Sequence, residues 1–180
     1  MVVRSDRTLH KSNKAYYGKN GELKRKLLRL SEGVLAVLFV TFLLFSFVIG
    51  VSRVSGESMS PTYTDGEIIL YKRQFRSVAA GDVVVIRMAS GENYIKRIVA
   101  VPGDTVEVTG GVLYVNGVAE TASYAHGSTV LEEGTVTYPL TLQKNQYFVL
   151  GDNREHSTDS RSFGPIVFLQ IIGVPFVQTQ

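Results

Sequence analysis

Twenty consecutive residues between Glu32 and Arg53, GVLAVLFVTFLLFSFVIGVS, carry no charge. Coiled as a helix, they span about 30 Å, the thickness of the hydrocarbon core of a bilayer. Three structures accommodate such a run: a buried core helix, a cleaved signal peptide, or an uncleaved membrane anchor. A signal peptide has an apolar region of about 7–15 residues with a small-residue cleavage site after it. Here the run is longer, 32 residues precede it, and no A-x-A pattern follows it. The reading is an anchor over residues 33–52, a basic arm over 1–32 and an exported domain over 53–180.

Charge gives the expected orientation. Residues 1–50 hold nine Lys and Arg against three acids, whereas residues 51–180 hold ten against 13. Lys24, Arg25, Lys26 and Arg29 lie just before the apolar run, and only Arg53 lies close after it. The positive-inside rule then predicts a cytoplasmic N-terminus and an extracytoplasmic residue 53–180 domain. The same cations suit anionic headgroups, which makes membrane lipids an expected partner. Because the cationic excess sits in the arm, the folded part lacks the basic face that nucleic-acid binding requires, and no nucleic-acid partner is expected. The chain has no cysteine and three scattered histidines, His10, His126 and His156. Neither a thiolate site nor a zinc site is expected, nor any other cofactor.

Beyond Arg53 the texture changes. EIILYKR, DVVVIRM, NYIKRIVAV, TVEVTGG, VLYVNGV, QYFVLGD and IVFLQIIGV are short runs rich in β-branched and aromatic residues, read as strands. Gly110-Gly111 and Asn116-Gly117 are hairpin turn signals. Residues 118–145 read as a polar insertion with a weak strand or two, and Ile166–Val177 as a buried strand pair. The arm over residues 1–20 lacks periodicity and reads as loose; a helical pattern begins at Glu22. The fold class is therefore mainly β, an antiparallel sheet domain behind an N-terminal transmembrane helix.

Four clusters carry possible chemistry: SMSPT at 58–62, GDVVVIR at 81–87, YIKRIVAVPGD at 94–104 and GDNREHSTDSRSFGP at 151–165. Each also has a plain reading as a turn or a strand. Lys96 separates the two. Strand alternation puts Tyr94, Lys96 and Ile98 on one face, so apolar groups flank the lysine at both i−2 and i+2. Burial lowers a lysine pKa, and a neutral lysine can take a proton from a serine hydroxyl. Against this stands a lysine whose stem covers apolar surface while its ammonium reaches water. A Ser58–His156–Asp arrangement, with Asp152 or Asp159, is the rival on residues alone.

Taken together and in order, S-M-x-P-T, Y-I-K-R-x-x-x-x-P-G-D and G-D-N-R-x-x-S-x-D-S-R resemble the bacterial type I signal peptidases, of the Gram-positive kind with one anchor. The resemblance runs from the anchor through the blocks between Ser58 and Pro165. It implies a serine endopeptidase that removes signal peptides from exported precursors, with small residues, typically alanine, preferred at −1 and −3. By the resemblance Ser58 is the nucleophile and Lys96 the general base. Ser157 helps hold the lysine amine, and Asp159 and Arg161 form a supporting ion pair. Arg97, Asp152 and Asn153 belong to the same motifs and are assigned supporting roles, as are Gly56, Met59 and Pro61 around the nucleophile. His156 falls on a position that is not the base in the family. Gly56 stands where the two-span Gram-negative enzymes have a serine that helps stabilise the oxyanion, so the backbone N–H of Ser58 remains and the second donor is open. Met59 faces lipid or the substrate groove. Signal-peptide-bearing precursors are the expected partners, with secretion or pilus-assembly machinery as a further class.

Two other functions fit parts of the chain. A non-catalytic membrane-anchored β module that assists exported proteins such as pilus subunits need not keep both Ser58 and Lys96. A self-cleaving Ser-Lys regulator requires a DNA-binding region, for which the arm and anchor leave no room.

Overall fold

The structure, a computed structural model, describes residues 6–131 and 136–177. The chain divides into two units, Met1–Ser46 and Phe47–Gln180. The first is occupied by helix α1, which runs Asp6–Val48. Its apolar stretch is uncovered: Leu35, Phe39, Phe42, Leu44 and Phe47 are all exposed. Apolar surface on every side of an uncovered helix is what a lipid environment satisfies. Among the described residues one helix, over Lys24–Val48, is long and apolar enough to cross a membrane.

Both ends of α1 differ from the sequence reading. The helix begins at Asp6 and not at Glu22, because extending a helix costs far less than nucleating one, so residues without amphipathic pattern can continue it. It stops at Val48, and Ile49–Arg53 form strand β1 although Ile49–Ser52 belong to the uncharged run. Pairing decides this end. β1 lies antiparallel to β2 (Ile68–Lys72), with Gly50 opposite Tyr71. The buried Tyr71 ring fills the space a side chain would need at both Gly50 and Gly173; a Cβ there would lie 2.1 and 2.0 Å from ring carbons.

The second unit is built on two antiparallel sheets. The remaining strands are β3 (Val83–Arg87), β4 (Asn93–Ala100), β5 (Thr105–Thr109), β6 (Val112–Val115), β7 (Val118–Ala119), β8 (Leu140–Thr141), β9 (Gln146–Leu150), β10 (Ile166–Val167) and β11 (Ile171–Pro175). Among the described residues the larger sheet has the order β1-β2-β11-β3-β4-β9-β10 and the smaller the order β7-β6-β5-β8. β3 reads VVVI without alternation because both of its faces are covered. Val83 and Val85 pack with Met59, Tyr63, Ile69, Tyr71 and Ile95 on one side. Val84 and Ile86 pack with Ile98, Val149, Ile166 and Ile171 on the other. A third cluster joins Val106, Val108 and Leu113 of the smaller sheet and Leu142 to Val99, Phe148 and Leu150 of β4 and β9.

The hairpin signals act as expected: Gly110, Gly111, Asn116 and Gly117 all have positive φ, as tight two-residue turns between twisted strands require. The C-terminal apolar run does hold two strands, but they do not pair with each other. β10 pairs with β9, while β11 pairs with β2 and β3. A 3-10 turn at Phe168–Gln170 carries the chain between them. β11 thus joins β2 to β3 in the larger sheet.

Candidate active site

Lys96 lies on β4, opposite Val84 of β3, and is 4% exposed. Its pKa is lowered to about 8: burial is the largest influence, Asp159 opposes it, the Arg161 cation adds to the lowering, and Asp152 opposes it. Its amine lies 5.6 Å from the centre of the Tyr94 ring and 2.7 Å from Ser58 Oγ. The lysine thus reaches a hydroxyl and not open water.

A tightly bonded loop between β1 and β2 holds Ser58. Gly56 has φ +87°, a conformation side chains resist, and its N–H donates to Asp65 Oδ1 at 2.8 Å. Ser60 N–H donates to Glu57 O and Tyr63 N–H to Met59 O, and the Ser60–Pro61 peptide is cis. Met59 and Tyr63 anchor the loop in the core. Met59 is 1% exposed; it packs inward, touching the floor of the groove, and is not turned to lipid. Ser58 itself is half-buried, at the wall of a groove of about 600 Å³ lined by Arg53, Gly56, Glu57, Tyr94 and His156 among others. The His156 side chain is exposed at that rim, and the hydrogen bond of Ser58 Oγ goes to Lys96 instead.

The 151–161 segment braces this pair. Arg97 Nε and Nη2 donate to Asp152 Oδ1 and Oδ2 at 2.9 and 2.7 Å, a two-pronged bond between fully buried partners. Thr62 Oγ1 donates to the same Asp152 Oδ2 at 2.5 Å, which ties the nucleophile loop to the ion pair. Asn153 N–H donates to Ser58 O at 3.1 Å. Gly151 packs so closely that a Cβ would lie 2.4 Å from Ser58 O and 2.3 Å from Ser157 Oγ. Its N–H donates to Asp159 Oδ2 at 3.1 Å. Asp159 caps the short helix α2 (Ser160–Phe163) and pairs with Arg161 through two bonds of 2.8 Å. Arg161 Nη2 also donates to Arg154 O and Ser157 O.

The structure therefore brings Ser58, Lys96, Arg97, Asp152, Asn153, Asp159 and Arg161 into one bonded cluster. Ser157 departs from the expected bonding. Its hydroxyl is buried against Gly151 and has no hydrogen-bond partner among the described residues, so it does not hold the lysine amine here. The amine is directed to Ser58 instead. Sequence reasoning assigned no part to Glu120, Tyr124, His126, Thr129 or Arg154. Arg154 is fully buried and pairs with Glu120, while the Tyr124 ring lies 4.1 Å from the Arg97 guanidinium. A buried arginine demands a carboxylate partner, but nothing local in the sequence says which one.

A mainly β domain behind an apolar helix, with a groove holding a serine hydroxyl against a buried lysine of lowered pKa, defines a membrane-associated hydrolase of the serine–lysine class. Residues 27–178 match the family model described as signal peptidase, peptidase S26. The chain is 35% identical over 170 residues to signal peptidase IB of Staphylococcus aureus, covering 84% of this chain and 88% of that protein. It is 36% identical over 137 residues to signal peptidase I V of Bacillus subtilis, covering 68% and 80%. A crystal structure of a signal peptidase I from Enterococcus faecalis covers 56% of this chain and 98% of its own, at 31% identity and a TM-score of 0.47. The chain belongs to the signal peptidase family, peptidase S26, and is a serine peptidase of that family.

Proposed function

We propose that this protein removes N-terminal signal peptides from exported precursors with Ser58 as nucleophile and Lys96 as general base. The observation that carries the assignment is the 2.7 Å approach of Lys96 Nζ to Ser58 Oγ, with the lysine buried enough to lose its proton near pH 8. Neutral Lys96 takes the Ser58 proton as Oγ attacks the carbonyl carbon of the scissile bond. The ammonium then returns that proton to the leaving amine of the mature chain, leaving an acyl ester on Ser58. Lys96 next draws a proton from water as the water oxygen attacks the ester. The acyl–Oγ bond breaks, the Lys96 ammonium returns the proton to Ser58 Oγ, and the signal peptide leaves as an acid that ionises to the carboxylate. The Ser58 N–H is the first donor for the oxyanion; Gly56 contributes no hydroxyl. Asp159 and Arg161 hold the 151–161 segment around the pair.

The test is cleavage of a precursor bearing A-x-A before the mature sequence, by full-length protein in detergent. Cleavage is expected after the second alanine and is lost when either alanine becomes a large residue. An uncleaved A-x-A precursor would remove the proposal.

The helix around residues 33–48 fits a single membrane pass. The four cations at Lys24, Arg25, Lys26 and Arg29 support insertion with the N-terminus in the cytoplasm, next to anionic headgroups, and the β domain outside. That side is where precursors emerge. Protease added to cells stripped of their wall is expected to digest the β domain and leave a short protected N-terminal fragment. A fully protected chain would reverse the orientation.

A further inference from the structure

The segment from Glu120 to Val130, between β7 and the β8 side of the smaller sheet, looks like an ordinary polar loop in sequence. In the fold it lies against the catalytic turn and touches four of its charged residues. His126 N–H donates to Asp152 O and Arg154 N–H donates to His126 O, each at 2.8 Å, so His126 and Asn153 form a parallel bridge. Glu120 takes two bonds from Arg154, and Thr129 Oγ1 takes a third at 3.0 Å from Arg154 Nη1. Ser128 N–H donates to Glu155 Oε1 at 3.1 Å, and Val130 O accepts from Arg161 Nη1 at 3.2 Å. The Tyr124 ring stacks over the Arg97 guanidinium. Burial first, then the neighbouring Glu120 carboxylate, push the Tyr124 phenol up, so the ring stays neutral over the cation. Thr129 N–H in turn donates to Gly111 O, which fastens the segment to the β5–β6 hairpin.

The bonds continue from this segment to the nucleophile. Arg154 Nε donates to Gly151 O at 3.0 Å, and Gly151 abuts Ser58 O. Arg97 holds Asp152, Asp152 holds Thr62, and Asn153 N–H holds Ser58 O. These tethers add to the core anchoring of the Ser58 loop through Met59 and Tyr63.

We infer that residues 120–130 form a strap that sets the position of the 151–154 turn, and that Tyr124 is a positioning residue acting on Ser58 through Arg97, Asp152 and Thr62. The inference rests on Ser58 being the nucleophile. Arg97 is held at its edges by Asp152 and by Gly81 O, which accepts from Nη1 at 2.8 Å, and the stacked Tyr124 ring covers its face, so removing the ring loosens the pair on that side. Displacement of a reacting group by about 1 Å costs up to about a hundredfold in rate.

The experiment compares Tyr124→Leu, Tyr124→Phe and Glu120→Gln with wild type and with Ser58→Ala, as full-length protein in detergent. kcat and KM for an A-x-A precursor are measured per folded molecule, below the melting temperature of each variant. Tyr124→Leu is expected to lose about tenfold in kcat with KM within about twofold, and Tyr124→Phe to recover the wild-type value. Amide exchange at Asn153 and Arg154 should accelerate about tenfold or more in Tyr124→Leu and in Glu120→Gln, while the β3 amides keep their protection. Wild-type kcat together with unchanged exchange in the folded variants would overturn the strap, as would a Tyr124→Phe variant no better than Tyr124→Leu. If wild type shows no Ser58-dependent cleavage, the function is what fails, and the exchange measurement alone then decides whether the strap holds the turn.

Discussion

Ser58→Ala is expected to fold as the parent does and to lose precursor cleavage by about four orders of magnitude or more, whereas Ser60→Ala keeps activity within about threefold. The two hydroxyls share one loop, so the pair separates chemistry from damage to the turn. Ser58 Oγ is the group that meets Lys96 Nζ. Ser60 contributes its backbone N–H to Glu57 O, and alanine keeps that bond. Removing the Ser58 hydroxyl takes away one hydrogen bond, about 1 kcal/mol, too little to unfold the domain. Steady-state cleavage and a thermal melt read both expectations. An inactive Ser60→Ala beside an active Ser58→Ala would mean that the SMSPT motif has been read in the wrong register.

What could be read before the fold was known depended on whether a residue's role is set locally. β3, β4, β6 and β9 announce themselves, because β-branched and aromatic side chains in short runs already describe a covered, pleated surface. β1 does not. Ile49–Ser52 are as apolar as the helix before them, and only the distant Tyr71 ring, which needs a bare Gly50 beneath it, makes them a strand. The early start of α1 is hidden for the opposite reason: residues 6–21 have no apolar stripe to reveal a helix that extends from a neighbouring one.

The same division runs through the site. Ser58, Lys96, Asp152, Asp159 and Arg161 sit in motifs whose spacing carries the resemblance. Alternation flanks Lys96 with Tyr94 and Ile98 but leaves open whether its ammonium reaches water; the fold decides it, with Lys96 and Arg97 buried on both faces of β4. Tyr124, Glu120 and Thr129 lie in a stretch without period or motif. Their meaning resides in contacts with Arg97 and Arg154, which are 27, 34 and 25 positions away respectively, counted on the sequence. The Ser157 hydroxyl shows the limit from the other direction: the motif supplies the residue, but its bonding depends on where Gly151 and Ser58 settle.

The largest pH effect is expected at Lys96. At its ordinary pKa a lysine is about 0.04% neutral at pH 7, and at a pKa of about 8 it is about 10% neutral, a gain of roughly 200-fold in available base. Because the active form is the deprotonated one, kcat/KM should climb about tenfold per pH unit below 7.5 and level off above about 8. Lys96→Met and Lys96→Arg should be inactive across the range, the first for want of a base and the second because a guanidinium keeps its proton. The stability of the same variants gives an independent sign. The unfolded chain holds the Lys96 proton up to about pH 10.5, the folded chain only to about 8, so between them the unfolded state binds more protons and stability rises with pH. Below about pH 8 the buried ammonium therefore costs the fold about 3 kcal/mol, which Lys96→Met should recover, in whole or in part, in a denaturant titration at pH 7 and not at pH 10.5. An enzyme that discards its base and becomes harder to unfold would show that the fold is strained to hold that base. A rate still rising tenfold per unit beyond pH 9.5, with no gain in stability for Lys96→Met, would instead describe an ordinary exposed lysine and return the base to His156 at the rim of the groove.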